Sequence, residues 1–309
     1  MIIVLDAQQK QAFEQDGYLM VAQALGPTVL DSVRRHISGY IDEQVQLLHA
    51  DGKVNELSVD AAFDQRWALV CRENELVADD GGRPTVSWGR RAMLGKPIYE
   101  LLTDRALTHI AASLIGEEIT AHGDYWVRPN MATDPATTLE WHQDSHYYGG
   151  ETAGFQVLTV WIPLVDVDEQ NGCLRVVPGS HHLGRVAARH VESGQLTPAE
   201  AVEHYGEPRS VPMKSGDVLI LSHLTLHASG QNTTDLVRWS IDLRYSPTSQ
   251  SFGWHSMGED FPQHFPCFVA RDGATARAES WTQWQARWKE AEPDLDPSVD
   301  HGASPRKVR

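Results

Sequence analysis

The stretch Leu139-Glu140-Trp141-His142-Gln143-Asp144-Ser145-His146 sets two imidazoles and a carboxylate close together. In an extended chain, residues two apart share a face. His142 and Asp144 so placed suit either of two uses: a hydrogen-bonded structural pair, or two ligands of a metal. A His-x-Asp by itself arises often by chance and favours the first. A distant histidine shifts the balance. After the turn Ser215-Gly216-Asp217, an apolar strand leads to His223 and His227, and then to Arg238. Two histidines and one carboxylate can occupy one face of an octahedron, leaving three positions open, a set that suits Fe(II). A zinc hydrolase could use similar ligands, but no other pattern in the chain points to hydrolysis.

Arg238 belongs to an alternating run, 236–245. Val237, Trp239, Ile241, Leu243 and Tyr245 fall on one side, and Arg238, Ser240, Asp242 and Arg244 on the other. Such a strand either lies at an edge with its polar face in water, or packs its apolar face under helices and turns the polar one into a cavity. In the second case Arg238 points at the metal site, where a guanidinium can clamp a carboxylate through two parallel hydrogen bonds. Arg244 lies about 20 Å further along at roughly 3.3 Å per residue. That is too far to replace Arg238.

These residues need a scaffold. The chain has 309 residues, enough for one large domain with an ample core. Residues 6–15 read as a helix ending at Asp16-Gly17. Residues 27–48 read as a stronger one: Pro27 suits a first helical position, and Leu30, Val33, Ile37, Ile41, Val45 and Leu48 make one apolar stripe. A third helix is expected over 97–115. From about 118 the texture changes to short apolar or alternating runs at 119–127, 155–165, 173–178, 217–222 and 236–245. Asn171-Gly172 and Pro178-Gly179-Ser180 punctuate them. The expected fold is mainly β with flanking helices around a jelly-roll, cupin-like double-stranded β-helix. One domain is expected over 1–288: a helical part at about 6–116, the core at 118–250 and an extension at 251–288. Residues 183–210 form an insertion, part helical at 197–205, that serves as a lid or a connection. Residues 289–309 read as a loose tail.

Net charge is −16. A surface that acidic repels phosphates, so neither nucleic acid nor anionic membrane is an expected partner. No apolar run approaches a membrane span, and the N-terminus lacks a signal-like pattern. Cys71, Cys173 and Cys267 are too few and too scattered for a disulfide framework. A cytoplasmic protein is expected; oligomeric state is left open.

Taken in order, the motifs resemble the phytanoyl-CoA dioxygenase family of iron- and 2-oxoglutarate-dependent oxygenases. "FEQDGYLMV" is similar to the family's opening and "HQDSHYY" to its first ligand motif. "LTVWIPLVDVDEQNGCLRVVPGSHH" is similar to the strands and turn that follow. "GDVLILSHLTLHASGQNTTDLVRWS" is similar to the distal-histidine and arginine segment. Together they span about residues 10–250. The resemblance implies His142, Asp144 and His227 as ligands of Fe(II). It implies Arg238 and Ser229 as partners of the distal carboxylate of 2-oxoglutarate, with Trp161 beside the cosubstrate. His223, four before His227 and on the same face if both lie in one strand, is a rival ligand ranked second. His146 is a substrate contact, an acid/base or a polar loop residue. Tyr147 and Tyr148 wall the pocket or merely pack. Trp88, Arg90, Arg91 and Met93 lie where family members often place substrate contacts; the two arginines would suit an anionic group, or the segment is a solvated turn. The implied activity is hydroxylation of an unactivated C–H bond of a small molecule, with dioxygen consumed and succinate and CO2 released. Asp144 argues against the related halogenases, which lack that carboxylate. Desaturation, epoxidation or rearrangement on the same scaffold, and a non-catalytic binding barrel, are the alternatives.

Overall fold

The structure is a computed structural model that describes residues 2–76, 86–134, 137–148, 154–191, 194–250, 265–275 and 277–291. Helix α1 (Ala7–Asp16) starts at a capping box, Asp6 with Gln9, and ends at Gly17. Gly17 has φ +75°, and a Cβ there would overlap the His181 ring and the Thr225 hydroxyl. This glycine lets the turn into β1 (Tyr18–Val21) seat against two later loops. Helix α2 (Pro27–Ala50) follows the expected stripe, and all six of its apolar positions are buried. A short α3 (Arg66–Glu73) comes next.

The helix expected over 97–115 is two: α4 (Lys96–Leu102) and α5 (Arg105–Ile115). Asp104 divides them. Its carboxylate accepts from the backbone N–H groups of Ala106 and Leu107 and so caps α5. The strand expected over 119–127 is also two, β2 (Ile119–Ala121) and β3 (Trp126–Asn130). Then come β4 (Leu158–Pro163), β5 (Leu174–Val176), β6 (Ala188–His190), β7 (Leu196–Pro198), β8 (Arg209–Val211), β9 (Val218–Ser222), β10 (His227–Ser229), β11 (Arg238–Pro247), β12 (Phe268–Arg271) and helix α6 (Trp281–Glu290). Residues 197–205 are not helical as expected. They hold the β7 half of a hairpin with β6 and a single 3-10 turn, Val202–His204. The first two residues of the expected tail close α6, and 292–309 lie outside the described residues.

The strands form a seven-stranded sheet, β1-β9-β4-β11-β2-β12 with β3 also on β11, and a three-stranded sheet, β10-β5-β8. All pairings are antiparallel. The architecture is therefore mainly β with several helices. Strand β11 is buried over its whole length. Its apolar side faces the helices: Trp239 packs on Phe63 and Trp88 at 5.4 and 5.1 Å between ring centroids, and the Tyr245 hydroxyl donates to the Leu102 carbonyl. A second apolar cluster, with Trp161, Leu174, Val176, Leu219 and Leu221, lies between the two sheets. The polar side of β11 is thus enclosed as well. Among the described residues, no helix is long and apolar enough to cross a membrane.

Candidate metal centre and its cavity

His142 and His227 are joined by backbone first. The His142 N–H donates to the His227 carbonyl at 2.9 Å, and the reverse bond is 3.0 Å. This bridge sets the imidazole centroids 4.3 Å apart. Each Nδ1 faces a carbonyl, that of Glu140 at 2.6 Å and that of Thr225 at 3.0 Å. A carbonyl only accepts, so both Nδ1 atoms carry a proton, and Nε2 is the nitrogen of each ring that can face a metal. Burial, and then the neighbouring His142, push the His227 pKa down to about 4, so its imidazole is neutral at pH 7.

Asp144 is not on a strand, contrary to the His-x-Asp expectation. It opens a 3-10 turn, Asp144–Tyr147. The turn directs Oδ1 to 3.6 Å from His142 Nε2 and 3.9 Å from His227 Nε2. Oδ2 accepts a short hydrogen bond from the Thr159 hydroxyl. Burial opposes ionisation of this carboxyl, but Arg244, followed by His142 and His227, holds it well below the usual carboxylate range. Among the described residues, His142, Asp144 and His227 form the group of metal-ligating type whose ligand atoms all lie within 4.8 Å of one another; all three are buried.

His223 is outside this group. Strand β9 stops at Ser222, so 223 and 227 do not share a strand face. The His223 ring stacks on Tyr148 at 6.2 Å, and its carbonyl accepts from the Ser145 N–H. His146 does not share a strand face with Asp144 either. Its Nδ1 accepts from the Gln143 N–H, and its Nε2 faces the Val186 carbonyl at 3.2 Å. Burial brings its pKa down to about 4. The Tyr147 ring meets His142 edge-on at 5.8 Å.

The cavity in front of the triad encloses about 460 Å³, its open mouth included, and is lined by Trp161, Ser229 and Arg238 among others. Arg238 donates to Ser240 Oγ at 2.7 Å and to Ser229 Oγ at 3.5 Å, and its guanidinium sits 5.5 Å from the Trp161 ring. Its Nε is buried and has no hydrogen-bond partner among the described residues. Burial lowers its pKa to about 10, which leaves it charged at pH 7.

Trp88, Arg90, Arg91 and Met93 do not line this cavity. Trp88 and Met93 are buried in the helical core. Arg90 pairs with Asp124 at 2.5 Å, with its guanidinium against the Trp126 and Phe265 rings. Arg91 is exposed.

Among contributors to the cavity wall, sequence reasoning passed over Thr159 and Arg128, and it placed Asp242 on the polar face of β11 without giving it a role. It also set Arg244 aside, measuring only its distance from Arg238. Thr159 and Arg244 are direct cross-strand partners on β4 and β11, and both reach Asp144. The alternation of 236–245 already put Asp242 and Arg244 on the cavity side, and that signal was available. The strand pairing that brings Thr159 and Arg128 to it was not.

Gln143 was passed over too, though it lies between two ligands. Its side chain donates to the Gly184 and Leu224 carbonyls at 2.8 and 2.6 Å and accepts from the Val186 N–H at 2.9 Å. Gln195 accepts from the Glu140 N–H, and the Tyr147 hydroxyl accepts from the Leu196 N–H. The 183–210 insertion therefore buttresses the loop that carries His142 and Asp144.

Mainly β architecture encloses a buried His-Asp-His cluster, able to hold a metal ion, in an arginine-lined cavity. The chain belongs to the phytanoyl-CoA dioxygenase (PhyH) family, whose model matches residues 13–240, and it is accordingly an Fe/2-oxoglutarate-dependent dioxygenase. It is 23% identical over 259 residues to an ectoine dioxygenase of Bordetella bronchiseptica, covering 78% of this chain and 75% of that one. Among solved structures it is similar to EctD from S. alaskensis with bound Fe, with TM-score 0.54 and 18% identity, covering 89% of this chain and 87% of that one. It is also similar to SnoK, a non-heme alpha ketoglutarate dependent carbocyclase from nogalamycin biosynthesis, with TM-score 0.50 and 19% identity, covering 84% and 96%.

Proposed function

We propose that this chain hydroxylates an unactivated C–H bond of a small organic molecule, with His142, Asp144 and His227 holding Fe(II) and Arg238 holding 2-oxoglutarate. The observation that carries the reading is the convergence of three buried ligand atoms within 4.8 Å in a cavity lined by Arg238, whose Nε has no hydrogen-bond partner among the described residues. The donor set fits the metal: two imidazoles whose Nε2 atoms face Asp144 and one ionised carboxylate leave room for other ligands. The large and small sheets are read as the two halves of a jelly roll with the site between them.

When bound, iron and 2-oxoglutarate would supply the activation of dioxygen, the oxidant: one oxygen atom ends in the succinate formed with CO2 from the keto acid, and the other in the hydroxylated product. The chain's own residues bind and orient. Arg238, with Ser229 and Ser240 already on its guanidinium, receives the distal carboxylate. Trp161 flanks it. The Nδ1 bonds to Glu140 and Thr225 fix both imidazoles, and Thr159 fixes the carboxylate. The buried walls keep bulk water from the reacting carbon.

Thr159 makes this reading sharper. Its hydroxyl occupies Asp144 Oδ2 and leaves Oδ1 to the metal. Thr159→Val should weaken Fe(II) binding by roughly ten- to a hundred-fold, the usual cost of losing such an outer partner, while Thr159→Ser retains it. Anaerobic Fe(II) titration measures both, and equal affinity for valine and threonine would remove Thr159 from the site.

The function itself is tested by adding Fe(II) and 2-oxoglutarate without oxygen. A weak visible charge-transfer band should develop, and admitting air with a metabolite panel should give substrate-stimulated succinate. A zinc hydrolase or an empty barrel gives neither.

A further inference from the structure

Beyond the triad and Arg238, the cavity wall carries three charges: Arg128 on β3, and Asp242 and Arg244 on β11. Arg128 grips Asp242 through Nε at 2.9 Å and Nη2 at 3.5 Å. Arg244 Nη1 donates to the same carboxylate. One aspartate thus serves two guanidiniums. Arg244 has a second acid within reach, Asp144, 3.7 Å from its Nη2. The Tyr148 hydroxyl also lies against it.

Loading the site redistributes this charge. A metal dication, Asp144, the 2-oxoglutarate dianion and Arg238 together are neutral. The nearby Arg90–Asp124 pair is neutral too. What remains is Arg128, Asp242 and Arg244, with one positive charge in excess. Before loading, the excess sits on Arg238; after loading, it sits on the Arg128–Arg244 pair. Arg244 is only 6% exposed, and its Nε has no hydrogen-bond partner among the described residues. Excess positive charge at a largely buried site is costly, though the Arg128 side chain, 25% exposed, is screened in part by solvent, and an orphaned buried donor is costly too. Both costs vanish if the next ligand brings one negative charge. A cationic substrate finds no free acid here, since Asp242 is already shared by two arginines.

We propose that the substrate is a monoanion bearing a carboxylate, and that Arg244 and Arg128 bind that group beside the metal centre. The planar guanidinium matches a carboxylate in shape and in its paired donors. The proposal rests on the iron and 2-oxoglutarate reading above.

Anaerobic calorimetry separates the two. The protein is first loaded with Fe(II) and one equivalent of 2-oxoglutarate, then titrated with butyrate or phenylacetate and with the matched amides, butyramide and phenylacetamide. The acids should bind roughly tenfold or more tightly than the amides, as charge-assisted hydrogen bonds imply. Arg128→Met, which touches no proposed metal ligand, should bring the acids down to the amide level while 2-oxoglutarate uptake persists. Asp242→Asn adds one positive charge and should tighten the acids further. Equal binding of acid and amide by the wild type overturns the proposal. So does acid binding that ignores Arg128→Met or weakens in Asp242→Asn. Failure of the loading step, by contrast, overturns the iron and 2-oxoglutarate reading beneath it.

Discussion

Alanine at His142, Asp144 or His227 is expected to abolish both tight Fe(II) binding and turnover, while His223→Ala keeps its metal. Each of the three supplies one ligand atom to a cluster only 4.8 Å across. Loss of a direct ligand should exceed the roughly ten- to hundred-fold cost of losing an outer partner. The variants should still fold. The bridge between residues 142 and 227 is made by backbone atoms, which alanine preserves. In Asp144→Ala, Arg244 retains Asp242. His223 packs against Tyr148 and its carbonyl holds the Ser145 N–H, so its replacement acts on packing rather than on the metal. Asp144→Gly should likewise lose hydroxylation. Anaerobic Fe(II) titration with circular dichroism as a folding control decides the matter. Metal lost from His223→Ala but kept by His227→Ala would reverse the assignment of the distal ligand.

Arg238→Ala should raise the 2-oxoglutarate requirement by about two to nearly four decades while Fe(II) binding stays in place. Arg238 is 1% exposed, and it is held by Ser240 and Ser229, with no partner for its Nε among the described residues. Removing one partner of a buried, hydrogen-bonded charge pair costs roughly 3–5 kcal/mol, and each 1.4 kcal/mol or so is a factor of ten. Isothermal titration of 2-oxoglutarate into the anaerobic, iron-loaded variant reads the change directly. Unchanged affinity would sink the cosubstrate assignment. Arg244 cannot stand in for Arg238, because six residues of strand separate them. It is not inert, however: it pairs with Asp144 and Asp242, so Arg244→Ala is expected to disturb both carboxylates.

Local periodicity determined a good deal. The six-residue apolar stripe of α2 and the alternation of β11 are set by the 3.6- and two-residue repeats of side-chain direction, which the sequence carries without reference to any other segment. The types and order of the site residues, His-x-Asp, a later histidine and an arginine eleven residues on, could also be read directly. Periodicity failed where a single residue interrupts it. Asp104 splits an apparent helix because its carboxylate finds two backbone N–H groups, and the turn after Ser222 separates His223 from His227.

Tertiary structure alone decided what these residues face. Arg244 lies opposite Thr159 and Asp242 opposite both Trp126 and Trp161, because β11 pairs with β3 on one side and β4 on the other. Register between strands far apart in the chain depends on which faces are buried together, and a slip of one residue would turn every side chain to the opposite face. That long-range choice brings Thr159 and Arg128 to Asp242, Arg244 and the triad, and no spacing within any one strand encodes it.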